Sequence, residues 1–74
     1  MDISNILKPD ELPFPITDQV RKSIEAVLKA LEEGDPDLPF YEMELESDAR
    51  DLCEENDMWI RRYYLEGGYY NGAA

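Results

Sequence analysis

One uninterrupted apolar stripe constrains this chain more than any other feature. Val20, Ile24, Val27, Leu28 and Leu31 recur at i, i+4, i+7, i+8 and i+11, which places them on one side of a helix over 17–33. The limits of that helix are as clear as its period. Thr17 stands at the N-cap position, and Asp18 in the first turn complements the positive end of the helix dipole. Gly34 is suited to the left-handed residue that ends a helix, and Pro36 prevents continuation. Ala26 and Ala30 raise helix propensity, and Glu25 and Lys29 form a favourable pair one turn apart. Such a helix must bury its apolar face, so the rest of the chain has to supply a partner surface.

The best partner is a second helix over 47–66. Ala49, Leu52, Cys53, Asn56, Ile60 and Tyr63 fall near one face, with Trp59 beside them. Ser47 is its expected N-cap and Gly67 the residue past its end. Residues 40–46 fit two descriptions. As a strand, Tyr41, Met43 and Leu45 point one way and Glu42, Glu44 and Glu46 the other. As a helix, Tyr41, Leu45 and Ala49 extend the second stripe, and Pro39 suits a first turn. A lone strand needs a partner, and only the N-terminal proline segment or 67–72 offers one. The predicted fold is therefore a small all-α domain of two main antiparallel helices, 17–33 and 40 or 47–66, preceded by a short helical or extended segment. The alternative is α+β with a strand at 40–46.

The N-terminus reads as one or two helical turns over 1–8, capped by Asp2 and stopped by Pro9. Three prolines make 9–16 extended, with Leu12, Phe14 and Ile16 closing the open side of the helix pair. A run of Pro, Asp, Leu, Pro and Phe recurs at 9–14 and 36–40, each copy leading into a helix. The tail 67–74 is expected to fray unless Tyr69 and Tyr70 dock it. Seventy-four residues make one domain with a thin core, so homodimerisation or docking on a partner would bury useful further surface.

Charge is strongly segregated. Twelve acids and a single base, Arg50, lie between Glu32 and Asp57, whereas the rest of the chain carries six acids and six bases. The whole net charge of −11 therefore sits in that segment. On helices, Glu42 and Glu46, Glu44 and Asp48, and Asp51 and Glu55 are like charges one turn apart, each pair costing roughly 0.2–0.5 kcal/mol. A basic partner relieves that repulsion and is steered by it. An acidic face also serves solubility, but solubility alone does not require clustering.

Chemistry-bearing patterns are few. The chain has no histidine, which removes His-based triads and His-ligated metals. Carboxylates three apart at 48–51 and 54–57 have a spacing used by some metal sites, but the calcium-loop pattern is absent and no metal or cofactor is predicted. Cys53 lies on the apolar face of the second stripe and is expected in the core. No phosphate-binding or nucleophile-elbow motif occurs. No enzymatic activity is predicted. One cysteine, no leader-like N-terminus and no apolar run near the ~20 residues of a membrane span predict a soluble cytoplasmic protein.

Five of the eight aromatics crowd into 59–70, interleaved with Arg61 and Arg62. Trp59 and Tyr63 are assigned to the core, while Tyr64, Tyr69 and Tyr70 are expected at the surface. In size and charge the chain resembles phage-encoded DNA mimics and anti-CRISPR proteins, a likeness of composition. That resemblance implies an inhibitor occupying the basic nucleic-acid-binding surface of a target protein. The alternatives are an antitoxin or immunity protein against a basic toxin, anchored by the aromatics, and a small structural or regulatory adaptor. Direct binding to nucleic acid or to an anionic membrane is opposed by the charge. The candidate partner-binding residues are Glu42, Glu44, Glu46, Asp48, Asp51, Glu54, Glu55, Asp57, Tyr64, Tyr69 and Tyr70.

Overall fold

The first helix begins and ends where its caps place it. Thr17 Oγ1 accepts the Val20 N–H at 3.1 Å, and α1 runs Asp18–Glu33. Gly34 takes the left-handed conformation at φ 64°, which brings the Asp35 N–H within 2.9 Å of the Ala30 carbonyl. The computed structural model describes residues 2–71, the side chains of Tyr70 and Asn71 excepted. Two more helices follow, α2 over Leu38–Ala49 and α3 over Glu54–Ile60. The latter passes directly into a wider π turn at Arg61–Leu65. Short 3-10 turns occupy Pro9–Glu11 and Gly68–Asn71. Among the described residues there is no strand, and the domain is all-α.

Residues 40–46 are helical, so the α+β alternative is set aside. Pro39 sits in the first turn of α2, and Tyr41, Leu45 and Ala49 form its inner stripe. The short connection 34–37 folds α2 back on α1 as a helical hairpin, the most extensive contact between elements. Val20, Ile24, Val27, Leu45 and Ala49 are wholly buried there, and Ile60, Tyr63 and Tyr64 complete the core from the far end of the chain.

The expected helix over 40 or 47–66 is not continuous. It breaks at 50–53, where the backbone tightens (the Leu52 N–H donates to the Ala49 carbonyl at 3.0 Å) and Cys53 turns extended at ψ 157° before α3 starts. Ser47 therefore lies inside α2 and caps nothing. No glycine or proline marks the break. Asp51 and Cys53 in the break are weak helix formers, and Leu45 and Ala49 before it and Ile60 and Tyr63 after it are all buried in the same core. Cys53 falls in the break and is exposed, which corrects its expected place in the core.

The N-terminal expectation also needs correction. Asp2 does accept the Ser4 N–H at 2.9 Å, but it caps a single turn closed by the Ile6 N–H to the Ile3 carbonyl. Pro9 opens a 3-10 turn, and Glu11 reaches back to the Lys8 N–H at 2.7 Å. Beyond it Leu12, Phe14 and Ile16 pack on the core as expected, and Ile6, which the stripe analysis passed over, is buried. Gly67 adopts φ 76°, in keeping with its place past the helix end. Gly68 then passes so close to the preceding turn that an added Cβ would stand 2.8 Å from the Arg62 carbonyl oxygen. Residues 72–74 of the expected loose tail lie outside the described residues.

Leu45 is the largest aliphatic contribution of α2 to this core. Leu45→Ala is expected to cost about 2–5 kcal/mol, against a total stability of about 4–11 kcal/mol for a chain of this length. Urea denaturation followed by circular dichroism measures the loss.

Candidate functional site

The acidic segment does not form one uniform face. Its eight candidate carboxylates fall into three groups according to what holds them. Asp48 faces inward across the helical hairpin. Its Oδ2 accepts from the buried Ser23 hydroxyl and, at 3.4 Å, from the Gln19 amide, so it ties α2 to α1. Glu46 and Asp57 converge on Arg61. The Arg61 Nε donates to Asp57 Oδ1 at 2.9 Å, and its Nη1 lies 3.6 Å from Glu46 Oε1. Arg50 adds a second cation 3.4 Å from Glu46. The hydrogen bond to Asp57, with the Asp57 and Glu46 charges beside it, raises the Arg61 pKa further above its usual range. These three acids brace the fold.

The remaining candidates point outward. Glu44, Asp51, Glu54 and Glu55 are exposed, and their carboxylates enter no hydrogen bond or ion pair with the described residues. Glu42 is half-buried and lines an open groove of about 470 Å³ with Leu31, Leu38, Leu65 and Tyr69. The repulsion expected between Asp51 and Glu55 along one helix does not arise in that form, because Asp51 sits in the break and Glu55 in the first turn of α3. Glu54 and Glu55 gain instead from the positive end of the α3 dipole. The acidic run is thus partly an internal brace and partly a free surface of one sign.

The tyrosines divide differently from expectation. Tyr64 is only 2% exposed, which corrects its expected surface position. Its hydroxyl donates to the Leu7 carbonyl at 2.6 Å, while Leu7 N–H donates to the neighbouring Tyr63 hydroxyl at 2.9 Å. Tyr69 is half-buried, its ring meeting Tyr63 edge-on at 6.0 Å. The Tyr70 side chain lies outside the described residues. Trp59 stacks on Tyr63 at 4.9 Å and receives the edge of Phe14 at 5.4 Å, so the aromatic cluster is built chiefly into the fold.

Helical phasing of α2 would have found one pair of residues that the charge analysis missed. Phe40 and Met43 lie opposite the stripe of Tyr41, Leu45 and Ala49, and are exposed. Among the described residues no three acidic or cysteine side chains converge in a way that could hold a metal ion, and no helix is long and apolar enough to cross a membrane. Comparison with protein-family models, with curated proteins and with solved structures found no match.

Burial, with the Tyr63 hydroxyl and Glu11 nearby, raises the Tyr64 pKa well above its usual 10.0. The folded state therefore keeps a proton that the unfolded state releases. The stability tied to this proton is complete below about pH 10 and is lost as pH climbs toward the raised folded value. Tyr64→Phe leaves the Leu7 carbonyl without its donor, so it is expected to destabilise the fold at neutral pH by about 1–3 kcal/mol. It should also flatten the alkaline decline relative to the native chain. Urea midpoints measured from pH 8 to above pH 11 check both effects.

Proposed function

We propose that this chain is a non-catalytic protein-binding module whose acidic α2–α3 surface docks on a basic protein surface of the kind that otherwise holds a nucleic-acid backbone. The observation that carries this reading is the division of the acidic segment. Glu46, Asp48 and Asp57 are held by internal donors, whereas Glu44, Asp51, Glu54 and Glu55 are exposed with no counter-ion among the described residues. Of the six bases elsewhere, none but Arg61 forms a salt bridge with the eight candidate carboxylates from Glu42 to Asp57 among the described residues. A surface of one sign speeds encounter with an opposite surface and repels nucleic acid itself. The aromatic rings from Trp59 to Tyr64 are engaged in the core, so the anchor imagined for an antitoxin lacks free rings there, and charge leads this reading.

The test neutralises only the outward acids. A variant carrying Glu44→Gln, Asp51→Asn, Glu54→Gln and Glu55→Gln keeps the three bracing carboxylates and is expected to fold normally by circular dichroism. Both forms are immobilised and exposed to host lysate, and retained proteins are eluted with a salt gradient. The native chain should retain basic nucleic-acid-binding proteins that leave at moderate salt and are displaced by added DNA. For the isolated partner, the variant's affinity should fall by between about fourfold and several hundredfold, at about 0.2–1 kcal/mol for each of four lost exposed pairs. Equal affinity of both forms, with the same salt dependence, would overturn the reading.

A further inference from the structure

The outer side of α2 carries a feature that charge does not explain. Phe40 and Met43 stand one turn apart and are 58% and 69% exposed. Phe40 meets the Tyr41 ring edge-on at 5.8 Å and otherwise remains open. Isolated apolar side chains at a surface need no explanation. Here two of the three large apolar side chains exposed among the described residues share a single helical turn. The fold does not require them there, because Tyr41, Leu45 and Ala49 already supply the stripe that α2 packs on α1.

Helical phasing sets out the surroundings of the pair. Phe40, Met43 and Ser47 fall at i, i+3 and i+7 and make a strip about 10 Å long. Glu44 borders one side of it, and Glu42 and Glu46 border the other. An apolar strip with acidic margins is the complement of a helix with an apolar stripe and basic margins. Two copies of this chain fit it poorly. Their facing strips would bring the Glu42 and Glu44 carboxylates of the two copies toward one another, and like charges so placed oppose association.

We propose that the Phe40 and Met43 strip anchors a basic amphipathic helix of the partner protein. An apolar side chain of that helix sits between the Phe40 ring and the Met43 thioether, and lysine or arginine side chains flanking it reach Glu42 and Glu44. The proposal rests on the charge-docking reading above and names the element of the partner that is engaged. Helix-in-groove recognition of this kind uses apolar anchors one turn apart. Methionine suits it, since its flexible thioether adapts to different partner side chains.

The probe is a synthetic helical peptide of leucine and lysine with leucine along one face, compared with a peptide of equal charge in which glutamine replaces leucine. Fluorescence anisotropy at low salt measures both affinities. The native chain should bind the leucine peptide at least ~tenfold more tightly than the glutamine peptide, the scale of a hot-spot side chain. The double variant Phe40→Gln, Met43→Gln alters exposed positions only, and circular dichroism verifies its fold. It should lose that preference while keeping its affinity for the glutamine peptide. A preference that persists in the double variant overturns the anchor and leaves charge docking intact. Failure of both peptides to bind the native chain overturns both proposals together. Self-association of the native chain in sedimentation equilibrium, lost in the double variant, assigns the strip to a second copy and overturns a heterologous partner.

Discussion

Two adjacent phenols grip one residue far away in the sequence, and the way the first and last described segments close over the helical hairpin depends on that grip. Tyr63 accepts the Leu7 N–H and Tyr64 donates to the Leu7 carbonyl, so both polar groups of a single residue are satisfied at once. This lets an irregular N-terminal segment lie against an apolar core, which backbone without partners could not do. It seats Ile6 in the interior and sets the entry of Leu12, Phe14 and Ile16 over the helical hairpin. It also accounts for the turn that carries the tyrosines. The widened turn at Arg61–Leu65, closed by the Glu66 N–H to the Arg61 carbonyl at 2.9 Å, presents two consecutive side chains to the interior.

A chain this acidic has to keep its charges from undoing so small a core. Internal donors do part of that work: Ser23 and Gln19 hold Asp48, and Arg61 holds both Asp57 and Glu46. The break at 50–53 does another part by separating the acids of α2 from those of α3. What remains outward is the fraction the fold does not use. The same division runs through the apolar residues of α2, where Leu45 and Ala49 serve the core and Phe40 and Met43 do not.

Legibility in the sequence followed the range of the interaction involved. The first helix was written locally, in the stripe from Val20 to Leu31 and in the caps Thr17 and Gly34, and it appears within a residue of its expected limits. The helical character of 40–46 was legible because Tyr41, Leu45 and Ala49 continue one stripe. The break after Ala49 was not, since no glycine or proline signals it and the apolar stripe runs on through it. The misplacement of Cys53 follows from that one error of continuity. Tyr64 was misjudged for a different reason. Its hydroxyl satisfies a carbonyl 57 residues away, and such pairings leave no trace in spacing or composition. On the acidic run, sequence gave the total charge, but only the structure separates the bracing carboxylates from the outward ones.

The tie between Leu7 and the tyrosine pair has a consequence for how the fold comes into being. It closes a loop 57 residues long, a closure that costs more chain entropy than the local contacts of the hairpin. The hairpin of α1 and α2, whose contacts are local, can form without it. The N-terminal segment also touches α1, where Asp10 pairs with Arg21, but the two polar groups of Leu7 have these partners only once Tyr63 and Tyr64 are present. Because the tie joins segments so far apart in sequence, it needs both segments that flank the hairpin, and loss of either leaves the Leu7 N–H and carbonyl without these partners.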